Sequence, residues 1–241
     1  MTIDQPDPHF TEPTHGYWQT LEPPGMDPAR RRPPFRYGYP VELPDGRFLV
    51  LPIRRRPDPE RAAASLIPNH ASFAVIDALA GFMAELARPL APDVVVGLPT
   101  LGLALAPELA RRLGHTRYAP LGYSRKVWYR EELSQPVRSI TSPDATKRVW
   151  LDPNLLPWLA GKRVVLVDDT VSSGTTAAAV LRLFAAAGVT VAGVVAAMSQ
   201  GGAWRDHLAA EDPAWPGLVR WVFETPLFRR VEEGWEPIGH P

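Results

Sequence analysis

The chain has 241 residues, 45% hydrophobic and 22% charged, which are ordinary values for a globular protein. Lys and Arg total 26 and Asp and Glu total 26, so the net charge is zero, which argues against a general nucleic-acid or anionic-membrane coat. The absence of cysteine removes disulfide frameworks, thiolate metal sites and cysteine nucleophiles together.

Proline is over-represented: 28 of 241 is about 12%, against an average near 5%. Eight fall in Met1–Pro34, which has little apolar periodicity and reads as an extended or mobile arm. It has no continuous apolar stretch of the secretory type. Phe35–Ile53 carries two apolar-aromatic runs around Pro44-Asp45-Gly46, a hairpin signal. Arg54–Glu60 (RRRPDPE) reads as a polar, proline-broken connection. Its three arginines fit a solvated loop better than the alternative, a phosphate patch.

Ser72–Arg88 places Val75, Leu79, Phe82, Met83 and Leu86 at helical spacing, with Asn69 or Ser72 as cap and Pro89 as stop. Asp93–Leu98 (DVVVGL) is a buried-strand run, followed by a turn at Pro99-Thr100-Leu101-Gly102 and a helix over Leu103–Leu113 that ends near Gly114. Arg117–Leu121 reads as a short strand and Gly122–Pro136 as a long polar, aromatic and basic loop. Val137–Thr141 and Lys147–Leu151 read as two short strands, turned by Ser142-Pro143-Asp144, and Pro153–Ala160 as a connection. Lys162–Asp168 is another buried strand, Thr175–Ala187 an Ala-rich helix closed by Gly188, and Thr190–Met198 and Leu218–Phe223 two more strands. The alternation from Asp93 to Met198 predicts an α/β fold, a parallel sheet flanked by helices. The expected organisation is an arm over 1–34, a hairpin over 35–60, an α/β core over 61–224 and an extension over 225–241. No run of 18 apolar residues occurs, so no membrane partner and a cytoplasmic location are expected.

The sharpest segment is Val164–Thr176, VVLVDDTVSSGTT. An apolar strand ends in Asp168 and Asp169, then small hydroxyl residues and one glycine lead into a helix. In parallel α/β sheets ligands sit beyond the carboxyl ends of the strands. Amides in a small-residue turn, with the helix N-terminus behind them, form an anion site. Ser172, Ser173, Thr175 and Thr176 add hydroxyl donors without bulk, and Gly174 permits a close approach. The turn therefore suits a phosphate monoester. The two aspartates repel an anion and suit neighbouring hydroxyls or a divalent cation. A phosphate close to a diol describes a ribose 5-phosphate.

This segment resembles the phosphoribosyl-pyrophosphate (PRPP) signature of the type I phosphoribosyltransferases, and the resemblance spans roughly Asp93–Met198. It implies the α/β core of that family with a small β-rich hood, drawn from Phe35–Ile53 or Thr225–Pro241. It implies that Asp168 and Asp169 contact the ribose hydroxyls, and that Thr170, Val171, Ser172, Ser173, Gly174, Thr175 and Thr176 wrap the 5-phosphate. Thr100, Leu101 and Gly102 match the pyrophosphate-binding turn. SRKVWYREELSQPVRSIT resembles the flexible catalytic loop of purine-type members, such as xanthine and adenine phosphoribosyltransferases. Arg125 and Lys126 would there neutralise the departing pyrophosphate, in a loop that closes and excludes water. The resemblance also implies Mg²⁺ brought with PRPP, with Asp168 and Asp169 as its protein contacts, a nucleobase as second substrate, and a homodimer.

One position departs from the pattern. Some purine-type members carry an acid two residues before the loop glycine, where this chain has Ser172, so the general base is left unassigned. Glu131 and Glu132 lie in the loop without an assigned role. Trp128, Tyr129 and Trp204 are stacking candidates for a flat base, with plain packing favoured for each. Gln200 and the Gly201-Gly202 turn are placed to bond a base edge. His70, His115 and His207 show no metal spacing. A receiver domain fails on the late position of the acid pair, and a haloacid-type phosphohydrolase fails on Thr170. The expected function is PRPP-dependent transfer of the 5-phosphoribosyl group to a base, purine rather than pyrimidine, in nucleotide salvage. The alternative is a catalytically silent PRPP-binding regulator.

Overall fold

The computed structural model describes residues 10–139 and 142–239. In chain order the elements are β1 (Gly38–Glu42), β2 (Phe48–Arg55), β3 (Arg61–Ala64), α1 (Phe73–Ala87), β4 (Val94–Gly97), α2 (Gly102–Arg112) and β5 (Ala119–Pro120). Next come β6 (Ser134–Ser139), β7 (Ser142–Trp150), α3 (Leu156–Leu159), β8 (Arg163–Val171), α4 (Thr175–Ala186) and β9 (Thr190–Gln200). The chain closes with α5 (Ala203–Glu211), β10 (Val219–Thr225), β11 (Leu227–Val231) and β12 (Gly234–Ile238).

The centre is a parallel sheet in the order β10-β9-β8-β4-β5. Every residue of β4 is buried, as parallel strands covered on both faces require. Successive side chains divide between two cores. Val95, Val165, Val167, Val195 and Ala197 face α1 and α2, while Val94, Val96, Val164, Leu166, Val194 and Ala196 face α4. The helix α1 forms where the spacing predicts it. Ser72 accepts a hydrogen bond from the Val75 amide, and Val75, Leu79 and Met83 are buried one turn apart. The antiparallel pair β6–β7 packs on α4, starting at Ser134, three residues before the predicted strand. Ile140 and Thr141, the last two residues of the predicted strand, lie outside the described residues, and the turn predicted at Ser142-Pro143-Asp144 falls instead within β7.

A second, antiparallel sheet has the order β1-β2-β3-β11-β12. The two alternative sources of a hood are therefore one structure: the hairpin near residue 45 and the strands after residue 226 join through β3, which had been read as part of the core. The connection at Arg54–Glu60 is shorter than its composition suggests, because β2 runs through Arg55 and pairs with β3 at Arg55↔Ala62. This sheet shares a core with α1 and α2, through Leu49, Leu51, Ile53, Phe228 and Trp235.

The proline-rich N-terminal segment differs from the expected free arm over its described part, residues 10–34. Trp18 is 2% exposed, and its indole nitrogen donates to the Ser65 carbonyl at 3.0 Å. Glu22 and Phe48 exchange backbone hydrogen bonds at 2.8 and 2.9 Å. Single aromatic anchors in irregular backbone leave no periodic trace, which is why the segment carried no structural signal. The first nine residues of the predicted arm lie outside the described residues. Among the described residues no helix is long and apolar enough to cross a membrane.

Trp18→Ala should destabilise the protein by about 3–5 kcal/mol, the usual cost of emptying an aromatic core position. A chemical-denaturation midpoint equal to that of the parent would show that the segment is dispensable.

Candidate functional site

A cleft of about 520 Å³ opens between the carboxyl ends of the central strands and the edge of the second sheet. Its floor is the end of β8. Asp168 is buried, at 8% exposed, and Asp169 is half-buried beside it. The Asp169 amide donates to Asp168 Oδ1 at 3.0 Å, and the Thr170 hydroxyl donates to Asp169 Oδ2 at 2.9 Å. Burial, then the charge of Asp169, holds the Asp168 carboxyl well above the ordinary carboxylate range. Asp169 is also raised by burial, against hydrogen bonds that favour its charged form. No Lys or Arg of the described residues forms an ion pair with either acid.

The turn after the pair leads directly into α4. Gly174 sits at φ +79°, and a Cβ there would lie 3.1 Å from the Trp204 carbonyl, so both its conformation and its neighbour demand glycine. The N-cap of α4, Gly174, has no side chain to cap it; the Thr175 amide donates to the Ser173 hydroxyl at 3.4 Å, and Thr176 and Ala177 line the cleft at the first turn. The first turn of the helix thus borders a space large enough for an anion. Ser173 and Thr175 place their hydroxyl oxygens 3.0 Å apart at the same mouth.

The turn at Thr100–Gly102 follows β4, the strand beside β8. Its Pro99–Thr100 peptide is cis. A Cβ on Gly102 would stand 2.5 Å from the Val167 carbonyl oxygen and 3.1 Å from Asp168 Oδ1. The turn is therefore pressed against the acid pair, although its residues do not line the cleft itself.

Arg125 and Lys126 are exposed and do not line the cleft. Arg125 pairs with Glu131 at 3.5 Å and lies over the Trp150 ring at 5.4 Å, and Glu131 also pairs with Arg148 at 3.2 Å. Val127, at the same tip, is 100% exposed. The three aromatic candidates lie elsewhere too. Trp204 is 1% exposed and donates to the Ser199 hydroxyl at 3.1 Å, Trp128 donates to Asp152 at 3.3 Å, and Tyr129 rests on Trp150. Packing accounts for Trp204, whereas Trp128 is 57% exposed and Tyr129 is half-buried, both outside the cleft lining. Among the described residues no group of three or more His, Asp or Glu side chains gathers that could hold a metal ion, and His70 packs edge-on to the Trp18 ring at 6.2 Å.

Gln200, at the end of β9, joins the two sheets. Its amide nitrogen donates to the Ala64 carbonyl at 2.6 Å, and its Oε1 accepts from the Ser172 hydroxyl at 3.2 Å. Ser172 is thus a donor in the resting site rather than a proton acceptor.

Several cleft residues carried no motif. Lys147 lines the cleft from β7, with Nζ 4.4 Å from the Tyr123 ring centroid. Burial, then the charges of Asp168 and Asp169, push the Tyr123 hydroxyl up to about 12, so it is neutral at pH 7. Arg54, Arg55 and Arg56 line the cleft from the second sheet. The run of three arginines was the available signal, but its charge alone did not distinguish a ligand-facing edge from a solvated loop.

Comparison with known proteins follows this geometry. A family model described as the phosphoribosyl transferase domain matches residues 63–213. A protein of Frankia casuarinae named adenine phosphoribosyltransferase is 30% identical over 142 residues, covering 59% of this chain and 72% of that protein. Two crystal structures of adenine phosphoribosyltransferases have the same fold. The Thermoanaerobacter pseudethanolicus protein has a TM-score of 0.50 and 20% identity, over 64% of this chain and 87% of that one. The Giardia lamblia protein, complexed with 9-deazaadenine, has a TM-score of 0.52 and 17% identity, over 63% and 80% respectively.

The raised carboxyls predict a stability effect with a definite sign. Folding keeps a proton on the pair that the unfolded chain has released, so stability falls as pH climbs from the ordinary aspartate range through the raised one. Asp168→Asn with Asp169→Asn removes that penalty. The double variant should melt a few degrees above the parent at pH 8, since about 1 kcal/mol corresponds to roughly 2–4 °C in a chain of this size. The gap should close as pH is lowered towards the ordinary aspartate range. A gap that widens on acidification would contradict the assigned burial effect.

Proposed function

The chain belongs to the type I phosphoribosyltransferase family, and on that premise we propose that it transfers the 5-phosphoribosyl group of PRPP to the ring nitrogen of a purine-like base, releasing pyrophosphate. The observation that carries this reading is the single turn Asp168–Thr176, with a buried and a half-buried acid at one end and the N-terminus of α4 at the other. Gly102 is packed onto the same pair from the neighbouring strand end.

The 5-phosphate takes the amides and hydroxyls of Ser172–Thr176. The ribose hydroxyls donate to Asp168 and Asp169. Pyrophosphate lies towards Thr100–Gly102. The base nitrogen forms its bond to the anomeric carbon as the carbon–oxygen bond to pyrophosphate breaks, and the electron pair leaves on that oxygen. The sugar becomes oxocarbenium-like between the two, so positioning and charge stabilisation are the protein's main tasks. Two adjacent carboxylates with no cationic partner suit a hard divalent ion shared with the ligand's oxygens, so Asp168 and Asp169 are the groups that would meet Mg²⁺. Bound there, Mg²⁺ supplies screening among phosphate, pyrophosphate and carboxylates.

The cationic loop works by closing. Arg125 and Lys126 stand outside the cleft in this conformation, and Lys147 already lines it, so closure would complete a cationic side to the leaving group. Ser172 donates to Gln200, which leaves the base proton to a group other than this hydroxyl.

Incubation with PRPP, Mg²⁺ and a panel of bases should release pyrophosphate with purine-like acceptors. Binding of PRPP without release on any base would instead make the protein a PRPP sensor. Asp168→Asn with Asp169→Asn should weaken PRPP binding by at least about tenfold, because each charge-assisted hydrogen bond contributes roughly 1.5–3 kcal/mol. Calorimetry giving the parent's affinity would remove the pair from the site. Lys126→Ala should lower turnover more than PRPP affinity, and parental turnover in that variant would end the role assigned to the loop.

A further inference from the structure

The family model begins at residue 63, and the described part of the N-terminal segment, residues 10–34, lies wholly before it. That segment nevertheless reaches the wall of the cleft at two separate points. The first is Ser65, which lines the cleft directly after β3. Its carbonyl accepts the Trp18 indole N–H at 3.0 Å. Trp18 is itself fixed, because it is 2% exposed and its carbonyl accepts the amide of Ser72, the cap of α1, at 2.9 Å. Gln19 adds a hydrogen bond to the His70 carbonyl at 2.8 Å. The second point is Arg54, near the end of β2, which also lines the cleft. Its guanidinium donates to the Thr14 hydroxyl at 2.7 Å, and among the described residues it forms no ion pair. Thr14 is held in turn. Its carbonyl accepts the Tyr17 amide at 3.1 Å, and the Tyr17 hydroxyl donates to Glu12. The Tyr17 ring packs so close to β1 that a Cβ on Gly38 would stand 3.4 Å from it.

Both points belong to one piece of wall. Arg54 pairs in register with Ala63, and the Ala64 carbonyl between Ala63 and Ser65 accepts from Gln200 at 2.6 Å. The end of β3 is thus held from the central sheet by Gln200 and from outside by Trp18. A neutral hydrogen bond has a net worth of only about 0.5–1.5 kcal/mol, too little to decide whether the chain folds. Its leverage is on position, since a displacement of about 1 Å at a reacting geometry can cost roughly 100-fold in rate. We propose that Thr14 and Trp18 are positioning residues, and that residues 14–19 form a strap that fixes the second-sheet wall at its working distance from the acid pair. Neither residue lines the cleft, so each acts through the residue it holds. The inference rests on the phosphoribosyl-transfer reading and adds to it a control that comes from outside the family-matched region. The groups assigned to PRPP lie on the turn after β8 and at Thr100–Gly102. Loosening the strap should therefore show in turnover and leave PRPP affinity in place.

The test uses the full chain with PRPP, Mg²⁺ and the most active of adenine, hypoxanthine, guanine and xanthine, and reads pyrophosphate release. Thr14→Val keeps the shape of the side chain and removes the oxygen that Arg54 uses. Trp18→Phe keeps an aromatic ring in the core and removes the N–H that Ser65 uses. Each should lower kcat/KM at least roughly fivefold. PRPP affinity by calorimetry should stay within about twofold, because the strap and the PRPP groups share no direct partner. Thr14→Val should shift the melting point by no more than about 2 °C, as expected of an exposed contact. Thr14→Ser should restore parental efficiency, since the hydroxyl returns. Arg54→Met with Thr14→Val should lose no more than Arg54→Met alone, which shows that Thr14 acts through Arg54. Parental kcat/KM in either single variant would overturn the inference and leave the transferase reading intact. So would a loss of PRPP affinity equal to the loss of efficiency, a Thr14→Ser variant as impaired as Thr14→Val, or additive losses in the Arg54 pair. No release from the parent with any of the four bases, while PRPP still binds, would overturn the transferase reading and this inference with it.

Discussion

At the end of a central strand two carboxyls stand side by side, one buried and one half-buried, and no Lys or Arg of the described residues forms an ion pair with either. Desolvation and mutual repulsion both oppose their charged forms. Neighbouring structure holds the pair in place. The Gly102 turn leaves no room on one side for a side chain, and Gly174 lets the chain swing from the acids into α4 within a few residues. Because β8 has a strand on each side, its end is bordered by two other strand ends: the end of β9 lines the cleft, and the turn after β4 packs against the acid pair. The chemistry is thus concentrated where a parallel sheet already leaves backbone amides and a helix terminus exposed.

The segments that could be read directly were those whose structure is local. VVLVDDTVSSGTT carries strand, acids, turn and helix in one continuous stretch, and each part has its own residue signature. The helix at Phe73–Ala87 was legible for the same reason, from cap to periodic face to proline stop. The second sheet was not, because its strands come from residues 38–64 and 227–238 and neither part alone shows what the other completes. β3 is four residues, Arg61–Ala64, and three of them are alanine. It has too little apolar area to announce itself as the strand that joins the halves. Lys147 carried no motif, and the three arginines were legible only as charge, for a related reason. Charge on a strand has no direction until the sheet that carries it is placed.

Gln200 links these two kinds of structure. It ends an apolar strand, which marks it as unusual, but its partners Ala64 and Ser172 stand 136 and 28 residues away in the chain. Through it the turn after β8 and the second sheet share one amide group. The second sheet and the Ser172 hydroxyl are therefore joined through one side chain at the end of β9. Trp18 reinforces the same wall from outside, since it bonds the carbonyl of Ser65, the residue after Ala64.

The discontinuous second sheet also orders events during synthesis. The ribosome delivers β1, β2 and β3 early, then the whole central sheet, and β11 and β12 last. The turn with the acid pair can form on the nascent chain once β9 and β10 have emerged. The wall opposite waits for β11 to seat against β3, at the separation Leu227↔Ala63. Until then a sheet edge that is covered in the finished protein stays open to solvent or to a chaperone. The same delay leaves the acid-pair side of the cleft folded before the arginine-bearing wall opposite is complete.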